Sequence, residues 1–245
     1  MPESANEAAL ILFEISESRS DWCSLKMKHR LPAALQEHLA LYGHPVRRSL
    51  SGQLWSVFAG TAGKFGFDPE NLSFDHDGKP MLADGWISAS HTDGSGALLL
   101  AGVPCGVDIE AINRRRKSGP AAEKNGSECL NLDRLIARTA SSIQQRAIAG
   151  SEEDFYRLWT QKEAQIKLGS RYASIPVRDL PDWNAEIFCF EWNGCFGSVA
   201  FEKGQLPEKI SVYGYDPALP GLLRTEGLRF QSVWTEQKEQ EMYDA

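Results

Sequence analysis

The chain has 245 residues, enough for one large domain or two small ones around a buried core. A formal net charge of −7 argues against a general nucleic-acid binder, which carries a basic footprint. No apolar stretch has the length of a membrane span and no leader-like segment opens the chain. The five scattered cysteines lack metal or redox spacing and fit reduced thiols, so the expected location is the cytoplasm.

In chain order, residues 8–14 read as a strand, its apolar run Ala8–Phe13 ending at Glu14. Arg30 to Tyr42 reads as a helix with Pro32 near its start and Gly43 as its stop. A second helix is predicted from about Arg47 to Ala62, despite Gly52. Leu72 to Phe74 is a short strand, His76-Asp77-Gly78-Lys79-Pro80 a turn, and Trp86 to Ser90 extended. Ala97–Val103 and Gly106–Ile112, joined through Pro104-Cys105, are expected to form a β-hairpin. The polar, basic stretch 113–127 reads as a loop. Cys129 to Ala149 has helical periodicity, ended by Gly150. Ser151, with Asp154 three residues on, reads as the N-cap of a further helix with an apolar stripe of Phe155, Leu158, Trp159 and Ile166 and a stop at Gly169. Glu186–Trp192 and Cys195–Phe201 flank Asn193-Gly194, a strong hairpin signal. Lys209 to Tyr215 is the last clear strand. Strand, helices and hairpin thus occur twice, an α+β plan with an expected division between 1–112 and 113–245.

Two acidic motifs carry the chemistry. In Gly106-Val107-Asp108-Ile109-Glu110 the alternation of a strand puts Asp108 and Glu110 on one face. In Trp159-Thr160-Gln161-Lys162-Glu163-Ala164-Gln165-Ile166-Lys167, Glu163 and Lys167 lie one helical turn apart. Brought together, these faces form an oxygen-rich site suited to Mg²⁺, with Mn²⁺ as the alternative ion, and to a phosphate ester. Each motif alone also fits a solvated face, and metal-dependent nucleases combine the same residue types.

With Gly78-Lys79-Pro80 and Ser90-His91-Thr92 upstream, the ordered set of motifs resembles the 4′-phosphopantetheinyl transferase superfamily in its longer, surfactin-synthetase-activating type. The resemblance covers residues 45–170 well and the rest by element order. It implies two similar α+β halves in one chain, a pseudo-dimer with coenzyme A between them, and a monomer. It implies a holo-acyl-carrier-protein synthase that moves the phosphopantetheine arm of coenzyme A onto a serine of an apo acyl or peptidyl carrier protein and releases adenosine 3′,5′-bisphosphate. By the same resemblance Asp108, Glu110 and Glu163 are the metal ligands, and Glu163 is also the candidate general base. Lys167 and Lys162 face the pyrophosphate, His91 and Ser90 contact phosphate, Lys79 belongs to the nucleotide site, and Arg48 with Ser49 lies near the 3′-phosphate, Arg47 being the adjacent competitor. The sequence departs from the family pattern at Ile87-Ser88-Ala89-Ser90-His91-Thr92, where Phe-Asn-x-Ser-His-Ser is usual, and at Ala33 and Gln36, where some members carry lysines. The basic run Arg114-Arg115-Arg116-Lys117 is either a solvated loop or a docking element for an acidic carrier. The competing readings are a Mg²⁺-dependent phosphodiesterase or nuclease, and a non-catalytic coenzyme A- or carrier-binding relative.

Overall fold

The computed structural model describes residues 7–15, 31–112, 132–148, 151–169, 172, 174–180, 185–216, 222–224 and 231–232. Strand β1 (Glu7–Glu14) is followed by helices α1 (Ala33–Ala40) and α2 (Pro45–Thr61), then by the short strands β2 (Leu72–Phe74) and β3 (Pro80–Leu82). Next come β4 (Trp86–Thr92), β5 (Ser95–Ala101) and β6 (Cys105–Ala111). Helices α3 (Leu132–Thr139), α4 (Ser142–Ile148) and α5 (Glu152–Ile166) precede β7 (Ala185–Trp192), β8 (Cys195–Glu202), β9 (Lys209–Tyr215), β10 (Leu222–Arg224) and β11 (Gln231–Ser232). The expected α+β class is observed. No helix among the described residues is long and apolar enough to cross a membrane.

One sheet has the order β10-β9-β1-β5-β4 and the other β11-β7-β8-β6. The run Ala8–Phe13 is apolar throughout because both faces of β1 are buried. Ala9, Ile11 and Phe13 pack with Leu35, Leu54 and Phe58 of the first two helices. Ala8, Leu10 and Leu12 pack with Val107, Ile109, Val199 and Phe201 of the second sheet. Helix α5 covers the far face of that second sheet, where Ala164 and Leu168 meet Ala200. The layers are therefore helices, sheet, sheet, helix. Each fully buried Leu, Ile or Phe side chain in them contributes roughly 1.5–3 kcal/mol of transfer free energy.

The sequence-based hairpin between 97–103 and 106–112 does not form. Strand β5 already has both edges occupied, by β1 and β4, in antiparallel register. The hairpin is β4–β5, turning through Asp93 and Gly94, and β6 crosses to the second sheet to pair with β8, Asp108 opposite Ser198. The predicted helix 129–149 is two helices, among its described residues. They are separated at Ala140 and Ser141, where Ser141 and Gln144 form a reciprocal capping box: the Ser141 N–H donates to Gln144 Oε1 (2.9 Å) and the Gln144 N–H to Ser141 Oγ (3.3 Å). The Asn193-Gly194 turn joins β7 to β8 as expected, with φ of 49° and 72°. The sheets cross the division expected after residue 112, since β1 pairs in parallel with β9 and β6 pairs with β8. The basic run at 114–117 lies outside the described residues.

Candidate active site

The site forms where the edge strands of the two sheets, β4 and β6, run side by side in the same direction under the C-terminal end of α5. Val107 and Ile109 point into the core between the sheets, which turns Asp108 and Glu110 to the opposite side. Helix α5 can approach β6 only because residue 106 is glycine. A Cβ there would lie 1.9 Å from the carbonyl oxygen of Ala164. This close packing brings Lys167 Nζ to 2.7 Å from Asp108 Oδ1 and to 3.1 Å from the Val107 carbonyl, to both of which it donates. Ser151 caps the other end of α5 by accepting the Asp154 N–H (3.2 Å).

Asp108 is 5 % exposed. Its Oδ1 accepts from Lys167 and from the Ser90 hydroxyl (2.7 Å), while Oδ2 is buried with no protein partner. Glu163 shares this neighbourhood. Burial pushes its carboxyl above the usual range, and the charge of Asp108 and, less strongly, of Glu110 push the same way against the opposing effect of Lys167. Glu110 Oε2 accepts the Thr92 hydroxyl (3.1 Å). The structure thus brings Asp108, Glu110, Glu163, Lys167 and Ser90 together.

A bare, buried carboxylate oxygen beside two further carboxylates is the donor set that suits a hard cation. Among the described residues the trio whose ligand atoms lie within 4.8 Å of one another is Asp75, His76 and Asp77, on an exposed turn. Asp108, Glu110 and Glu163 do not meet that spacing, with Lys167 and the two hydroxyls drawn in against their oxygens.

His91 points to the other side of β4. Burial lowers its basicity, and Lys167 and Arg47 lower it further against the pull of Asp93 and Asp108. Arg48 donates from Nε to the Tyr42 carbonyl (3.0 Å) and caps the turn after α1, with half-buried Ser49 next to it. The guanidinium of the adjacent Arg47 lies 5.3 Å from the centre of the Tyr42 ring.

Lys79 lies with Lys167, Ser88, Ile87, Ile166 and Pro80 along a cleft of about 280 Å³. Its ammonium donates to the Leu168 carbonyl (2.6 Å) and sits 5.5 Å from the centre of the Trp86 ring. Burial lowers its pKa. Asp75 Oδ1 fixes this turn by accepting the N–H groups of Asp77 and Lys79 (2.9 and 2.8 Å).

Lys162 corrects an expectation. It is 2 % exposed, and its ammonium donates to the carbonyls of Val177 and Arg178 (2.9 and 3.3 Å). About 100° of helical rotation separates it from Glu163, so it anchors the 177–179 turn behind the helix.

Sequence reasoning gave no role to Ser88 and Thr92. The signal was the period-2 run of hydroxyls at 88, 90 and 92, which one face of a strand presents together. No protein-family model matches the chain, and no curated protein matches its sequence.

Proposed function

We propose that the protein transfers the 4′-phosphopantetheine arm of coenzyme A to a serine of an apo carrier protein in a Mg²⁺-dependent reaction. The observation that carries this reading is the Asp108 node: a buried carboxylate shared by Lys167 and Ser90 through one oxygen, bare at the other, and set against Glu163 beside the Lys79 cleft. The strand arrangement supports a pseudo-dimeric form of this fold. Strand β1 lies between antiparallel β5 and parallel β9, and β6 lies between antiparallel β8 and the codirectional β4.

In this reading Asp108, Glu110 and Glu163 hold Mg²⁺, which supplies charge neutralisation at the pyrophosphate. The carrier serine oxygen forms a bond to the β-phosphorus as the bond from that phosphorus to the bridging oxygen breaks. Adenosine 3′,5′-bisphosphate leaves. Glu163 accepts the serine proton, directly or through a water. Lys167 turns from Asp108 towards the leaving phosphate oxygens as a mobile point charge. Lys79 sits at the nucleotide, and Arg47 with His91 at a further phosphate. The free thiols Cys105, Cys189 and Cys195 fit a reducing cytoplasm.

The test is intact-mass spectrometry of several apo carrier proteins incubated with the protein, coenzyme A and Mg²⁺. The expected result is a gain of one phosphopantetheine arm, abolished by EDTA and by Asp108→Ala. If no carrier gains mass and coenzyme A does not bind, this reading is wrong.

A further inference from the structure

We propose that Thr92 is a positioning residue for the cation site, fixing the orientation of the Glu110 carboxylate from outside the ligand set. This rests on reading Asp108, Glu110 and Glu163 as cation ligands. The facing edges of β4 and β6 are stitched by three hydroxyls at alternate residues of β4. Ser88 Oγ accepts the Val107 N–H (2.9 Å), and Ser90 Oγ donates to Asp108 Oδ1 (2.7 Å). Thr92 Oγ1 accepts the Ala111 N–H (3.2 Å) and donates to Glu110 Oε2 (3.1 Å).

The two bonds of Thr92 are coupled. A hydroxyl has one proton. Accepting from Ala111 commits a lone pair on one side, which directs that proton to the carboxylate. The backbone of the acidic strand therefore sets the orientation of the hydroxyl, and the hydroxyl sets Glu110. Glu110 is only half-buried at the end of β6, so close packing does not hold its long side chain as it holds Asp108. The β-branch of Thr92 restricts χ1, and the residue is buried at 5 % exposure. Partners of this kind orient a ligand before the cation arrives.

The test compares the wild-type protein with Thr92→Val, which keeps the shape and loses the hydroxyl, and Thr92→Ser, which keeps the hydroxyl. Mn²⁺ affinity is read directly by electron paramagnetic resonance, without carrier or coenzyme A, and Tm is read in parallel. The expected result is a roughly 10- to 100-fold loss of Mn²⁺ affinity in Thr92→Val, restored to within about threefold in Thr92→Ser. The Mg²⁺ concentration for half-maximal transfer should shift by the same factor, while kcat at saturating Mg²⁺ stays near wild type. If folded Thr92→Val binds Mn²⁺ like the wild type, or Thr92→Ser loses as much as Thr92→Val, Thr92 does not position Glu110 and the proposal fails alone. If the wild-type protein binds no Mn²⁺, the cation reading of the site fails and takes the proposal with it.

Discussion

Ionising Glu163 works against folding. Its carboxyl is raised by burial and then by Asp108, with Glu110 adding to it against Lys167. The folded protein therefore holds the proton more tightly than the unfolded chain, and stability falls as pH rises from the ordinary carboxylate range through the raised value. Glu163→Gln removes this penalty. It is expected to raise Tm near neutral pH in the presence of EDTA, while lowering the transfer rate by about 10²–10⁴-fold; calorimetry and the carrier assay on one preparation check both. His91 has the opposite sign. Its basicity is depressed by burial and then by Lys167 and Arg47, so protonating it costs stability as pH falls through about 6.5. A bound phosphate reverses that field. Coenzyme A binding near pH 6.5 is expected to take up a proton in the wild type and almost none in His91→Asn, measured by titration calorimetry in buffers of different ionisation enthalpy. At this scale the sequence was partly legible. The i, i+4 spacing put Glu163 and Lys167 on one side of the chain, where Lys167 bonds Asp108 and Glu163 feels its charge, but nothing local shows that Lys162 faces the 177–178 carbonyls or that Arg48 is tied to Tyr42.

Strand β6 and helix α5 are held together by the absence of side chains. Gly106 lies against the Ala164 carbonyl, and Ala164 itself is fully buried. Gly106→Ala must push the helix away and is expected to cost about 1–3 kcal/mol or more, read by urea unfolding. Because the same movement withdraws Lys167 and Glu163 from Asp108, transfer should fall well beyond the loss expected from instability at 20 °C. Ser151→Ala loses only the cap at the far end of α5, about 1 kcal/mol, and serves as the comparison. Element identity was largely legible here, since alternation and helical period are local properties. Strand partners were not. The apolar runs on either side of Pro104 look like a hairpin, and only the prior claim of β1 and β4 on the edges of β5 sends β6 elsewhere.

For the whole molecule, the interleaving of strands predicts one cooperative unit. Residues 1–112 alone would leave β6 without β8 and β1 without β9, while 113–245 would leave β9 without β1 and β8 without β6. Separately expressed pieces are expected to be unfolded or aggregated, and the intact chain to show a single calorimetric transition whose enthalpy equals the van't Hoff value. Two resolved transitions would show that the halves are independent. Most of the elements and their order were visible in the sequence. Their interleaving was not, because pairing between strands some 200 residues apart leaves no local trace.

The parallel pairing of β1 with β9 also orders events in time. After the ribosome has made residue 14, about 200 further residues must emerge before β9 exists, an interval of about 10–40 s at roughly 5–20 residues per second. Once β5 has been made, the apolar run Ala8–Phe13 waits beside it with its other edge uncovered until β9 arrives. The nascent chain thus passes through a stage with an open, adhesive edge, the stage at which a holding chaperone has most to cover, and it lasts until after the strand and helix that carry Asp108 and Glu163 have been made.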